Sequence, residues 1–421
     1  MSGAEAGAAE GVHTWDQLLA LGAEVPEADL RARMDAQKPG DVCTLIYTSG
    51  TTGPPKAVML THHNVTWTAR RVVEAYSITE NDDLLSYLPL SHIAEQIVSL
   101  HGPMATGACS WFAESLEKLG ENLREVRPHF FFAVPRVWEK MQAGIQAAGA
   151  QNPPLKKKIA AWARGLGLRA GEALEAGKAG REGKPLLYGL AHKLVFAKVR
   201  ERLGLDRARV CSTSTAPISV ETLRFFLSLG IPILEVYGMS ECTGPATFST
   251  PDRFRLGKVG YAIPGTEIGL AEDGEVLMRG PHVFAGYFKN EEATREALDE
   301  EGWLHSGDIG ELDEKGFLKI TDRKKELIIT SGGKNVGPQI LEGKLKQIAA
   351  VSQAVVVGDR RHYLAALITL DPLRASAEAE IAGSPCREPQ DLASCQVFRA
   401  YLEKQVEGVN ATLARYETVK R

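Results

Sequence analysis

The sequence predicts an α/β fold, and three observations carry that prediction. Short β-type runs alternate with amphipathic helical stretches from the start, as in Val42 to Ile46, Ala57 to Leu60 and the helical spacing of Val65, Ala69, Val72, Val73 and Tyr76. Further on, Glu267 to Leu270, Glu275 to Arg279, Ile309 to Leu312 and Phe317 to Ile320 are short strands parted by glycine, proline and Asp-Gly turns, the pattern of a small distorted barrel. The strands Val351 to Gly358 and Tyr363 to Asp371, with a helix expected from Leu392 to Arg421, read as a small α/β C-terminal domain.

With 421 residues, 44% hydrophobic and 24% charged, the chain has room for two or three domains with a sizeable core. A formal net charge of −4 gives no reason to expect a nucleic-acid partner. Cys43, Cys109, Cys211, Cys242, Cys386 and Cys395 are scattered without metal-ligand spacing or a paired framework, which points to a reducing compartment. No apolar run approaches membrane-spanning length and no charged-then-apolar leader opens the chain. The expected location is cytoplasmic, with peripheral attachment to membranes left open.

In chain order, the Ala/Gly/Glu-rich Met1 to Glu10 reads as disordered, and Trp15 to Met34 as two short helices. Between the first two strands lies Tyr47-Thr48-Ser49-Gly50-Thr51-Thr52-Gly53-Pro54-Pro55-Lys56. Its glycines allow close backbone approach, its hydroxyls donate hydrogen bonds and its lysine brings a mobile charge, a set that suits a polyphosphate; an ordinary hairpin turn is the alternative. It is not a Walker A loop, because prolines precede the lysine and a strand rather than a helix follows. Thr61 can cap the next helix, Asp82 to Pro89 is a strand candidate, and His92 follows it. Phe130 to Phe132 begins a buried strand that turns into a helix after Pro135. From Met141 to Arg209 a basic, Ala/Gly-rich stretch reads as a helical hairpin. Its basic surface is a solvated face or a surface for anionic groups. Val210 to Pro217 is a strand with a small-residue turn whose slot would admit a flat ring, and Ile233 to Val236 is a strand leading into the turn Tyr237-Gly238-Met239-Ser240-Glu241-Cys242-Thr243. Gly302 to Gly310 reads as a tight turn with one carboxylate, Asp308, whose two oxygens could accept from a pair of hydroxyls.

These motifs, in this order, resemble those of the adenylate-forming superfamily, and Val134-Pro135-Arg136-Val137-Trp138-Glu139 is similar to long-chain acyl-CoA synthetases, in particular their bubblegum branch. The resemblance implies an adenylate-forming large domain at 41–321, a mobile C-terminal domain at 322–421 and a short lead at 1–40. It also implies truncation at both ends, since only a short lead stands for the family's N-terminal subdomain and no Gly-Lys motif follows. Activity would be activation of a long-chain fatty acid by ATP and Mg2+ to acyl-AMP, then transfer to CoA; a non-catalytic ATP or fatty-acid binder and an amino-acid-activating enzyme are the alternatives. Thr48, Ser49, Gly50, Thr51, Thr52, Gly53, Pro54, Pro55 and Lys56 would hold the phosphates. Tyr237 would stack on adenine within the turn formed with Gly238, Met239 and Cys242, Ser240 would bond the α-phosphate, and Glu241 would carry the metal. Asp308 and Arg323 would hold the ribose, and His92 would gate the acyl site; Lys56, Glu241 and His92 are the expected catalytic residues. Thr215-Ala216-Pro217 would face adenine, Lys325 would be the hinge, and Ser331 to Pro338 would approach the CoA arm. Glu95 is the acid that an amino-acid substrate could use.

Overall fold

The computed structural model describes residues 13–48, 54–178, 180 and 182–420. Met1 to Glu10 and the loop centre Ser49 to Gly53 lie outside the described residues. Strands β1 (Val42–Thr48) and β2 (Lys56–Thr61) form an antiparallel hairpin in which Thr48 lies opposite Lys56. Thr61 then caps the helix His62–Tyr76 reciprocally with Asn64, satisfying donors the helix itself cannot.

A seven-stranded sheet follows, built from β3 (Asp83–Ser86), β4 (Cys109–Phe112), β5 (Phe130–Phe132), β6 (Val210–Thr213), β7 (Ile233–Met239), β8 (Gly244–Phe248) and β9 (Tyr261–Ala262) in the order β4-β3-β5-β6-β7-β8-β9. The first five strands of that order pair in parallel, and β8 and β9 continue antiparallel. Neighbouring residues on the strands go to opposite faces, as the two-residue repeat of a strand requires. Leu84, Phe130, Phe132, Val210 and Leu234 join a core with the helix His62–Tyr76, while Leu85, Phe131, Cys211 and Ile233 pack with Trp138 and Phe226 on the other side. This is why the strands read as continuous apolar runs: both faces are covered by helices.

Strands β10 (Glu267–Leu270), β11 (Glu275–Arg279), β12 (Leu304–Leu312) and β13 (Leu318–Arg323) form a four-stranded antiparallel sheet. It joins β9 through the Tyr261–Phe317 bridge and the Val259 and Leu318 N–H bonds. Two expectations change here. Gly302 to Gly310 is not one tight turn: β12 begins at Leu304, so Asp308 sits within a strand, opposite Arg323. The turn starting at Tyr237 also begins later, because β7 runs through Met239 and only Ser240–Cys242 coils, ending at Thr243 with φ 58°.

The C-terminal region has its own core of Ile328, Val336, Leu341, Leu345, Val356 and Leu364, with strands β14 (Ile328–Ile329), β15 (Asn335–Val336), β16 (Val351–Val357) and β17 (Ala365–Leu370). The long terminal helix expected from Leu392 is instead divided, its main part being Gln396–Asn410. Past it the chain turns back so that Val419 pairs with Leu364, and Asn410 holds Val419 through both its backbone groups. A helix at Pro372–Ile381 was not foreseen in the sequence, where alternating Ala and Glu gave no clear apolar stripe. Among the described residues, no helix is long and apolar enough to cross a membrane.

Candidate functional site

The carboxyl ends of β5, β6 and β7 open onto a cavity of about 600 Å³, the place where open α/β sheets commonly bind ligands. Its wall includes Thr48, Lys56, His92, Gly238, Met239, Ser240, Glu241, Asp308 and Arg323, residues up to 275 positions apart in sequence brought to one surface. Lys325, the expected hinge, lines it too.

The charged end is held by hydrogen bonds from below. The Tyr287 hydroxyl donates to Glu241 Oε1 at 2.8 Å, and the Lys56 ammonium lies 5.0 Å from the centre of the same ring. Tyr237 does not line the cavity; it is buried, and its hydroxyl donates to Asp308 Oδ2 at 2.8 Å. Arg323 Nε stands 3.6 Å from Asp308 Oδ1. Burial raises the Asp308 carboxyl, with the Tyr237 hydroxyl and Arg323 acting in the opposite direction. Glu275, on the neighbouring strand, shows the reverse balance. Burial acts to raise it, but the Lys324 ammonium at 2.8 Å, the Gly307 N–H at 2.8 Å and His305 outweigh burial and hold it below the usual range.

The other end of the cavity is apolar, walled by Val72, Tyr76, Ile93, Ile97, Val98, Phe130, Phe132 and Phe248. It lies between the helix His62–Tyr76 and one face of the sheet. A single cavity therefore accommodates a strongly polar group at one end and a hydrocarbon at the other.

Several expected positions come out differently. Cys242 is fully buried, its sulfur bonded to Met239 and Gly244 backbone groups, and it does not reach the cavity. Pro54 and Pro55 are exposed and off the wall, and Ser49 to Gly53 lie outside the described residues. Of the adenine turn, Thr215 lines the cavity with φ 77° whereas Ala216 and Pro217 do not; Ser212 and Ser214 do. His92 stands at the wall and its Nδ1 accepts the Ala94 N–H at 3.2 Å, capping the short helix Ile93–Gln96. Glu95 faces away: it is buried, and Oε1 accepts from Ser86 at 2.6 Å and Ser99 at 2.7 Å. Tyr287, His305 and Lys324 were missed in the sequence. Each sits beside a charged partner remote in the chain, which no local pattern records.

Among the described residues, no group of three or more His, Cys, Asp or Glu side chains could hold a metal ion by itself. A magnesium ion fits this donor set only with phosphate oxygens completing its shell around Glu241, which is the usual habit of that ion.

The family model described as AMP-binding enzyme matches residues 5–288, and that described as AMP-binding enzyme C-terminal domain matches residues 325–420. A Xenopus laevis protein named long-chain-fatty-acid–CoA ligase ACSBG2 is 48% identical over 85% of this chain and 50% of its own length. Its Gallus gallus namesake is 46% identical over 85% and 48%, and a Homo sapiens relative named long-chain-fatty-acid–CoA ligase ACSBG1 is 43% identical over 85% and 51%. The chain thus spans about half the length of the curated relatives it matches. Among solved structures, ATP-bound MatB from Rhodopseudomonas palustris aligns at a TM-score of 0.64 and 21% identity, over 91% of this chain and 64% of that one. The Bacillus subtilis O-succinylbenzoate coenzyme A synthetase MenE, in complex with AMP, aligns at 0.61 and 23%, over 84% and 65%. These likenesses establish the adenylate-forming fold, a large AMP-binding domain with a small C-terminal domain.

Proposed function

Because the chain belongs to the AMP-binding enzymes, we propose that it serves the ATP-dependent activation of a long-chain fatty acid to acyl-AMP, followed by transfer of the acyl group to CoA. The observation that carries this reading is the single cavity with a charged end and an apolar end. Names of curated relatives identify them as long-chain-fatty-acid–CoA ligases, in keeping with that reading.

A carboxylate is a poor electrophile, so the acid oxygen must first be joined to a better leaving group. In our reading the fatty-acid carboxylate attacks the α-phosphorus of ATP, pyrophosphate departs, and the CoA thiol then displaces AMP. Lys56 and the hydroxyl-rich loop from Thr48 offset charge on the phosphates, and Ser240 donates to the α-phosphate. Magnesium, when bound with the nucleotide at Glu241, neutralises further charge. Asp308 accepts the ribose hydroxyls with Arg323 beside it. Tyr237 acts beneath Asp308 rather than against adenine, and Ser214 and Thr215 border the slot left for the flat ring. The acyl chain runs between Val72 and Phe130, with His92 at its gate. Residues 41–321 would form the large domain and 322–421 the mobile one, rotating at Lys325; the strand β13 crosses that boundary, and Lys324 is tied to Asp273 and Glu275, so rotation begins after Lys324. Six free cysteines fit a reducing, cytoplasmic setting.

Amino-acid activation is disfavoured because Glu95, three residues after His92, is occupied by two serine hydroxyls and does not line the cavity. Hydroxamate trapping across fatty acids of graded length tests the reading, since it detects acyl-AMP without the CoA step. Trapping with long-chain acids supports it; trapping with amino acids alone, or with nothing while ATP still binds, overturns it.

A further inference from the structure

The five residues Phe284 to Phe288 lie between the strand that carries Lys56 and the turn that carries Glu241, and they are bonded to both. The Ala285 N–H donates to Met59 O at 3.0 Å, the Met59 N–H to Gly286 O at 3.0 Å and the Phe288 N–H to Ala57 O at 2.8 Å, with Tyr287 bridged to Val58. At the other side the Phe284 N–H donates to the Glu241 carbonyl at 2.9 Å. Tyr287 is fixed within this strap. Thr294 Oγ1 accepts its N–H at 2.9 Å, Phe284 packs edge-on to its ring at 4.9 Å, and the side chain is buried.

From that fixed place the side chain meets both chemical motifs at once. Its hydroxyl donates to one oxygen of the Glu241 carboxylate, and its ring face carries the Lys56 ammonium. We propose that Tyr287 is a positioning residue that locks the Glu241 carboxylate and the Lys56 ammonium into one unit, so that nucleotide phosphates and magnesium are received together. With Oε1 engaged, Glu241 presents its other oxygen to the metal in a set orientation, and ring attraction restrains the long lysine stem that would otherwise sample many rotamers. This inference rests on the nucleotide-activation reading above.

The two halves of the role separate by substitution. Tyr287→Phe keeps the ring under Lys56 and removes only the hydroxyl; Tyr287→Leu removes both. Calorimetric titration of the 421-residue chain with ATP, once in excess Mg2+ and once in EDTA, reads the two contributions. For Tyr287→Phe we expect metal-free ATP affinity within twofold of the parent, while the tightening conferred by Mg2+ shrinks about tenfold. Tyr287→Leu should in addition lose about threefold in metal-free affinity. In a Glu241→Gln background the hydroxyl deletion should have no further effect on the Mg2+ response. A parent chain that binds MgATP while Tyr287→Phe leaves its Mg2+ response unchanged overturns the role of Tyr287 alone. A parent chain that binds no ATP in either condition overturns the activation reading, and this inference with it.

Discussion

At the apolar end of the cavity the wall comes from repeating faces, Val72 and Tyr76 one turn apart on a helix and Phe130 and Phe132 two residues apart on β5. At the charged end Lys56, Glu241, Asp308 and Arg323 come from separate strands or turns, each held by a partner elsewhere, as Glu241 is by Tyr287 and Asp308 by Tyr237. An apolar wall tolerates exchange of one side chain for another of similar volume, because dispersion and burial are non-directional. A charged wall does not, since each group is useful only at one distance and angle.

The largest effect on binding should follow from removing a charge. Lys56→Ala is expected to weaken ATP binding about a hundredfold by calorimetry while leaving fatty-acid binding within twofold. Equal losses for both ligands would erase the distinction between the two ends.

A second test concerns the acid in the sheet behind the cavity. Glu235 is buried in β7 among Ile233, Leu234 and Val236, and burial pushes its carboxyl up to about 8 although the Gly257 and Lys258 N–H groups act the other way. The folded state therefore keeps a proton that the unfolded chain releases near the ordinary glutamate range. Its stabilising contribution is complete below that range and is lost as pH rises through about 8. Glu235→Gln should abolish this fall, leaving the variant roughly 3.5 kcal/mol less pH-sensitive than the parent between pH 5 and pH 8 in denaturant titrations. Parallel stability curves for the two proteins would refute the protonated state of Glu235.

Smaller still should be the effect of narrowing the apolar end. Val72→Phe is expected to lower hydroxamate formation from long acids about tenfold relative to short ones, with the ATP requirement unchanged. A uniform fall at every chain length would place the acyl group elsewhere. Least is expected of Tyr237→Phe, which deletes a single neutral donor to Asp308 and should raise the ATP requirement about threefold. An effect as large as that of Lys56→Ala would mean that Tyr237 touches the nucleotide after all.

The difference between the two ends also governs what could be read in advance. The apolar wall was legible as strands and helix faces because periodicity is a local property: Val65, Ala69, Val72 and Tyr76 announce one helix face, and the Phe130 to Phe132 run announces a strand covered on both sides. The charged residues were legible only as motifs. Between Gly302 and Gly310 the sequence reads Asp308 as a turn residue, yet pairing with Arg323 across β12 and β13 extends the strand through it. The resemblance puts Tyr237 against a ring, whereas the half-buried Asp308 carboxylate takes its hydroxyl. Glu95 looked available from its place near His92, and the helical turn that brings Ser99 beneath it, with Ser86 at the end of β3, withdraws it.

What the amino-acid order determined by itself was the succession of strands and helices, the capping of the helix at Thr61 and the chemical kind of each motif, since these depend on neighbours within a few residues. Only the tertiary structure decided that Lys56, Glu241 and Asp308 share one cavity, and that Tyr287, a residue without any motif of its own, stands between two of them. The physical reason is range: backbone propensity and side-chain periodicity act over a turn or a strand, while hydrogen bonds and charge pairing act across whatever distance the folded chain has closed.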